Sequence, residues 1–93
     1  MMKKNLTYDD YLKDPEQYAN DLVSEKLEKT KKSSEFREGT LASLKYHLEI
    51  CDKIKRPYAR GTAQADAYQF GIGLGIDLWQ EHYKRNYSEM IEH

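Results

Sequence analysis

AQADAYQFGIGLGIDLW, residues 63–79 of this 93-residue chain, carries the strongest folding signal in the sequence. Ala63, Ala67, Gly71 and Gly75 recur every four residues, so an α-helix would carry them on one continuous ridge of small side chains. The three glycines of this stretch cost such a helix about 2.5–3 kcal/mol relative to alanine. Close packing of a second helix would offset that cost. The pattern predicts a helix packed through this ridge, either on its own chain or on a second copy in a homodimer.

Residues 71–78 also alternate with period two, which is typical of a strand with Ile72, Leu74, Ile76 and Leu78 on one face. The rest of the sequence offers no second strand to pair with it, so we favour the helix. The glycine spacing G-x-G-x-G lacks the pattern of a phosphate-binding loop and the strand that precedes one. Acidic side chains interrupt the apolar run, which excludes a membrane-spanning segment here.

Start signals indicate three more helical segments. Thr7 can cap a short first turn. Asp14 and Pro15 have the residue types of an N-cap and a first helical position. Ser33 and Ser34 indicate a break followed by a new cap, although one continuous helix through this point remains an alternative.

The third helix is predicted from Leu41, Leu44, Leu48 and Cys51, which are spaced three, four and three residues apart like the seam of a coiled coil. This helix should continue until just before Pro57, because the residue preceding a proline disfavours the helical conformation. Cys51 would then be a small buried hydrophobic residue at the end of the seam.

We therefore predict an all-α protein, a small antiparallel bundle of three main helices with a short N-terminal helical turn. The chain is short enough to form a single domain, residues 1–93, with residues 1–13 loosely attached. The last helix should run from about Thr62 to about Met90. A short loop with proline and glycine should join it to the third helix as an antiparallel hairpin, across which the helix that begins at Pro15 packs.

The composition narrows the classes of function. Fifteen basic and 16 acidic residues give a net charge of −1, which argues against a body with a global positive field for nucleic acid. The single cysteine excludes an intrachain disulfide, and no apolar signal segment follows the basic first residues. We expect a cytoplasmic accessory or regulatory protein of a bacterium or a mobile element, without a cofactor and without membrane contact.

Trp79, Tyr83 and Tyr87 follow one another along one side of the last helix. Large aromatic side chains dominate the energetics of protein interfaces, so these three residues are the predicted protein-binding face. The structural alternative is that Trp79 anchors the end of the bundle. The predicted function is a small non-enzymatic interaction protein that binds a protein partner through this face, with a homodimer as one form of the assembly.

Lys53, Lys55, Arg56, Tyr58 and Arg60 form a basic loop before the last helix. Arginine and tyrosine together suit a phosphate with a stacked base, and the loop ends at a helix N-terminus that attracts anions. Nucleic acid or a phosphate ligand at this loop is the alternative function. Its structural alternative is an ordinary solvated loop that complements the dipole of the preceding helix.

No catalytic or metal signature is evident. Asp77, Glu81 and His82 are close in helical position and could form an acid–base group, which is the weakest of the functional hypotheses. His47 and Cys51 share a helix face, but no second ligand pair stands at the spacing that a zinc site needs. We expect neither an enzyme nor a metal site.

Overall fold

The computed structural model describes residues 6–91, and the side chains of residues 6–87. Within that range the fold is all-α, as predicted, and residues 71–78 lie inside a helix rather than a strand. The four helices form a small bundle of three main helices preceded by one short helix. They are α1 (Tyr8–Lys13), α2 (Pro15–Leu27), α3 (Ser34–His47) and α4 (Ala63–Ile91).

The predicted caps of the first two helices are confirmed. The side chain of Thr7 accepts the backbone N–H of Asp10 at 3.3 Å, and the Asp10 carboxylate accepts the Thr7 N–H at 3.0 Å, which is a capping box. Asp14 caps α2 by accepting the backbone N–H of Gln17 at 3.1 Å. Pro15 occupies the first turn, where its missing N–H is not needed.

The break at Ser33 is confirmed, because this residue caps α3, but α3 ends at His47, well before Pro57. Glu49 follows in the left-handed conformation, with φ +64°. The Ile50 N–H then reaches back to the Lys45 carbonyl at 2.8 Å. This is the hydrogen-bond pattern of a Schellman C-cap, which satisfies carbonyls that the helix end leaves open.

The early end of α3 corrects the prediction for its seam. Leu44 and Leu48 are buried and Leu41 is half-buried, so the leucines do face the core. Cys51 lies beyond the C-cap and is exposed, so the prediction of a buried cysteine was wrong. Glutamate is not a typical left-handed residue, and nothing in the local sequence marked this stop.

The pairing of α3 with α4 also differs from the prediction, because the two helices run in the same direction. Gly39 contacts Tyr68, and His47, eight residues later, contacts Trp79. The antiparallel hairpin predicted for this pair was therefore wrong. The reason is the early end of α3, which leaves residues 48–62 as a connection long enough to return to the start of that helix.

An antiparallel pair is present, and it is formed by α2 and α3. Glu16, in the first turn of α2, pairs with Lys45 in the last turn of α3 at 3.2 Å. Arg37, near the start of α3, donates to Ser24 Oγ near the end of α2 at 3.2 Å. The short connection between these two helices enforces this direction.

Glycines bring the backbones of α3 and α4 into contact. A Cβ atom on Gly71 would collide with the Phe36 carbonyl and lie 2.9 Å from the Thr40 nitrogen. A Cβ atom on Gly75 would lie 2.6 Å from both Ser43 Cβ and the Thr40 carbonyl oxygen. No real side chain tolerates such distances, so these positions need glycine because α3 occupies the space. Two residues of the predicted ridge therefore face α3 of their own chain.

The contact extends to one glycine that sequence reasoning missed. Gly39 of α3 lies against the Tyr68 carbonyl of α4, where a Cβ atom would collide with that oxygen. In contrast, Ala63 is exposed and Ala67 is half-buried, so the ridge ends before it reaches the start of α4. Gly73 faces open space.

The remaining core lies where α2 covers the α3–α4 pair. Its buried members are Tyr18, Ala19, Val23, Leu27, Leu44, Leu48 and Leu78. Each large aliphatic side chain among them contributes about 1.5–3 kcal/mol when fully buried. Of the segment expected to be loosely attached, residues 1–5 lie outside the described residues. Within residues 6–13, the Tyr11 hydroxyl donates to the Leu48 carbonyl at 3.4 Å.

Gly71→Ala should lower the free energy of unfolding by about 2 kcal/mol or more, because the new methyl group meets backbone that cannot move aside. Gly73→Ala is the matched control in the same helix. It should raise the free energy of unfolding by about 1 kcal/mol, since alanine is the better helix former and its methyl group meets nothing. Urea denaturation of both variants at low protein concentration measures the two effects. Equal changes of the same sign would contradict the backbone contact.

Glu49→Gly should stabilise the protein by about 1 kcal/mol, because glycine adopts positive φ without the steric cost that glutamate bears. Glu81→Gly, at an exposed position inside α4, should instead cost about 1 kcal/mol. Thermal and urea unfolding report both. A loss of stability in Glu49→Gly would show that α3 does not end at this residue.

Candidate functional site

Five rings form a continuous aromatic row from the end of α3 along α4. Successive ring centroids are 5.1 Å apart from Tyr46 to His47, 5.1 Å from His47 to Trp79, 6.1 Å from Trp79 to Tyr83 and 5.5 Å from Tyr83 to Tyr87. These separations are typical of favourable aromatic pairs. The row therefore joins the three predicted protein-binding residues to two residues of a second helix.

The members of the row differ in exposure. Tyr46, Tyr83 and Tyr87 are 41%, 44% and 47% exposed, whereas Trp79 is half-buried and packs against the core. The two interpretations of this face, a bundle anchor and a protein-binding surface, therefore apply to different residues. Trp79 anchors the bundle, and the tyrosines present their rings to solvent. Spacing along one helix could not indicate Tyr46 and His47, because only the parallel packing of α3 brings them to Trp79.

Tyr83 and Tyr87 are exposed because α4 is longer than its neighbour α3. α4 has 29 residues and α3 has 14, which correspond to about 43 Å and 21 Å of helix. The last residue of α3, His47, contacts Trp79. Tyr83 and Tyr87 lie one and two turns further along α4, beyond the end of α3. The difference in helix length therefore leaves this side of α4 exposed.

A neighbouring side of α4 carries a second aromatic group, which is buried. His82 is fully buried, and its ring lies 5.0 Å from the ring of Tyr11 and 5.3 Å from that of Tyr18. Tyr8 also approaches it, at 6.3 Å. We call these four residues the histidine cluster. It attaches α1 and α2 to the C-terminal half of α4.

His82 is held as a neutral imidazole. Burial, together with the smaller effect of the nearby positive charge of Arg85, lowers its pKa to about 4. The Tyr18 hydroxyl lies 2.8 Å from Nδ1 and the Asn86 amide nitrogen 3.2 Å from it, so Nδ1 accepts. The proton is then on Nε2, which is buried without a hydrogen-bond partner among the described residues.

The hypothetical acid–base group does not assemble. Asp77 and Glu81 are exposed on α4, whereas His82 is enclosed by tyrosine rings. A general base must reach the proton it abstracts, and the imidazole is shielded from solvent. The structural role of His82 in attaching α1 and α2 accounts for its burial and its lowered pKa.

The residues of the basic loop are divided between two depressions. Arg56, Tyr58 and Arg60 line a cleft of about 630 Å³ beside the first turns of α4. Lys53 and Lys55 line a groove of about 1190 Å³ between α3 and the returning connection. The five residues predicted as one anion-binding group therefore do not share a single site.

Two of the three loop side chains in the smaller cleft contact groups of this chain. Arg56 donates to Gln69 Oε1 at 2.7 Å. Tyr58 donates its hydroxyl proton to Glu38 Oε1 at 2.9 Å, and this hydrogen bond raises the pKa of Tyr58. Asp66 adds a negative charge to the cleft wall. The mixed charge weakens the attraction of this cleft for a phosphate.

Further observations bear on metal binding and on membrane spanning. Among the side chains of residues 6–87, no three of His, Cys, Asp or Glu come together in a way that could hold a metal ion. His47 uses Nδ1 to contact the Ser43 carbonyl at 2.8 Å, and Cys51 is exposed beyond the end of α3. None of the helices described is both long enough and apolar enough to cross a bilayer.

The free energy of unfolding should fall as the solution is acidified, because of His82. Its pKa in the folded state is about 4 and its pKa in an unfolded chain is about 6.5, so the unfolded state binds the proton first as the solution is acidified. Between about pH 7 and about pH 5 the free energy of unfolding should drop by about 2 kcal/mol from this residue alone. Urea denaturation across this range measures the drop.

The control for this prediction is His82→Phe, which keeps a ring of similar size and cannot titrate. It should remove most of the pH dependence in that range, even if it lowers stability at neutral pH by depriving the Tyr18 hydroxyl of its acceptor. The same pH dependence in this variant and in the natural chain would assign the effect to other groups.

Comparison with known proteins identified no relative of this chain. No family model matches the chain, and neither a curated protein nor a solved structure matches it significantly.

Proposed function

We propose that this chain is a small non-enzymatic interaction protein, regulatory or accessory in role, that binds a protein partner through the aromatic row. One observation carries the proposal. The row is a continuous run of five rings. Its three tyrosines remain 41–47% exposed although the chain forms a hydrophobic core.

The exposed tyrosines have the chemistry of an interface anchor. A tyrosine offers a large apolar ring and a polar hydroxyl, and it loses little side-chain entropy when a partner covers it. Neither Tyr83 nor Tyr87 belongs to the hydrophobic core, in contrast to Tyr18, which is buried and hydrogen-bonded. The fold therefore does not account for these two rings, whereas a partner would.

Other features fit a protein partner better than nucleic acid. The net charge of −1 gives no long-range attraction for a polyanion. Arg56 and Tyr58, two of the loop residues best suited to a phosphate and a base, bind Gln69 and Glu38 instead. The single cysteine, which is exposed, suits a reducing compartment such as the cytoplasm.

The direct test is capture of partners with the tagged chain, in the natural form and as the double variant Tyr83→Ala/Tyr87→Ala. The double variant should lose at least 90% of a specific partner, about tenfold or more in affinity, because it removes two anchor rings. Its melting temperature should stay close to that of the natural chain, since both rings are outside the core.

Phe70→Ala is the matched control. Phe70 lies on the same helix, is 72% exposed, and stands outside the aromatic row. This variant should capture the partner as the natural chain does. Equal loss in the control and in the double variant would assign binding to general hydrophobicity rather than to the row.

Treatment of the lysate with nuclease tests the alternative function. Partners held by nucleic acid would vanish, and Arg56→Glu/Arg60→Glu would lose them as well, with a steep dependence on salt. The proposal predicts that the specific partner survives nuclease and both charge reversals.

A further inference from the structure

A second regular pattern runs along the exposed side of α4. Gly73, Ile76, Gln80, Tyr83 and Tyr87 are spaced three, four, three and four residues apart, which is the a/d spacing of a coiled coil. Ile76 is half-buried and the other four residues are exposed. We call this set the α4 seam. The seam shares its two tyrosines with the aromatic row, and its other residues lie closer to the middle of the helix.

Gly73 in the seam is not explained by the fold. Gly71 and Gly75 admit the backbone of α3, but a Cβ atom on Gly73 would meet nothing within 4 Å. Its φ is not positive either, since within the described residues only Gly61 and Glu49 show positive φ. Glycine here costs the helix about 1 kcal/mol relative to alanine. A close neighbour from outside this chain would give the small residue a purpose.

Two opposite charges flank the seam on one side. Asp77 and Lys84 each follow a seam residue directly and lie seven residues apart, so both occupy the position written e in a heptad. Neither has an ion-pair partner among the residues that the structure describes. A second α4 in antiparallel orientation would place Asp77 opposite Lys84 of the other copy, and the reciprocal pair would form by symmetry. The charge pattern is thus complementary to itself.

We propose that the partner of this surface is a second copy of the chain, and that the two α4 helices pair in antiparallel orientation along the α4 seam. This inference rests on the proposed function and names its partner. Each Tyr83 packs beside Gln80 of the second copy, and each Tyr87 beside its Ile76. Two pairs between Asp77 and Lys84 fix the register. The dimer leaves Gly71 and Gly75 against α3, so it does not use the ridge first considered from the sequence.

Sedimentation equilibrium over a concentration series tests the proposal with charge variants. The natural chain should approach twice the monomer mass of 11.0 kDa. Asp77→Lys and Lys84→Asp should each weaken the dimer about tenfold, because each replaces two attractive pairs with two repulsive ones. The double variant Asp77→Lys/Lys84→Asp restores opposite charges across the seam and should recover the natural dimer.

The outcomes separate this inference from the function on which it rests. A natural chain that stays monomeric, or a double variant that dimerises no better than the singles, overturns the antiparallel dimer. If the monomeric chain still loses a captured protein with Tyr83→Ala/Tyr87→Ala, the proposed function stands with a different partner. If it captures nothing through these rings, both fail. Circular dichroism of each variant establishes that the helices remain folded.

Discussion

The contact between the backbones of α3 and α4 is the constraint on which the rest of the structure depends. Gly39, Gly71 and Gly75 let the two helices touch without intervening side chains, and each site would reject even a methyl group. This contact fixes the direction and the register of α4. The loss of helix propensity at these glycines is offset by backbone packing that larger residues would prevent.

Both aromatic regions follow from that register. Because His47, at the end of α3, meets Trp79, about three turns of α4 continue past the shorter helix. One side of this extension receives α1 and α2 through the buried ring of His82, and another side keeps Tyr83 and Tyr87 in solvent. One helix therefore carries both the attachment of the N-terminal helices and the surface proposed for binding.

The sequence correctly predicted the features of this arrangement that depend on local interactions. The caps at Thr7, Asp14 and Ser33 depend on side chains three residues away, and the glycine spacing shows directly which face of α4 is smooth. It failed where the outcome depends on distant contacts or on a rare conformation. Glu49 ends α3 in a conformation that glutamate seldom adopts, and this stop decides the parallel packing. The addition of Tyr46 and His47 to the row follows from that packing, so their sequence positions alone could not reveal it.

The most direct test of this account is a set of interhelical nuclear Overhauser effects in solution. The parallel backbone contact predicts cross-peaks between Gly71 and Phe36 and between the rings of His47 and Trp79. Cross-peaks between the rings of Phe36 and Trp79 would instead show antiparallel helices. That result would contradict both the glycine contact and the aromatic row that depends on it.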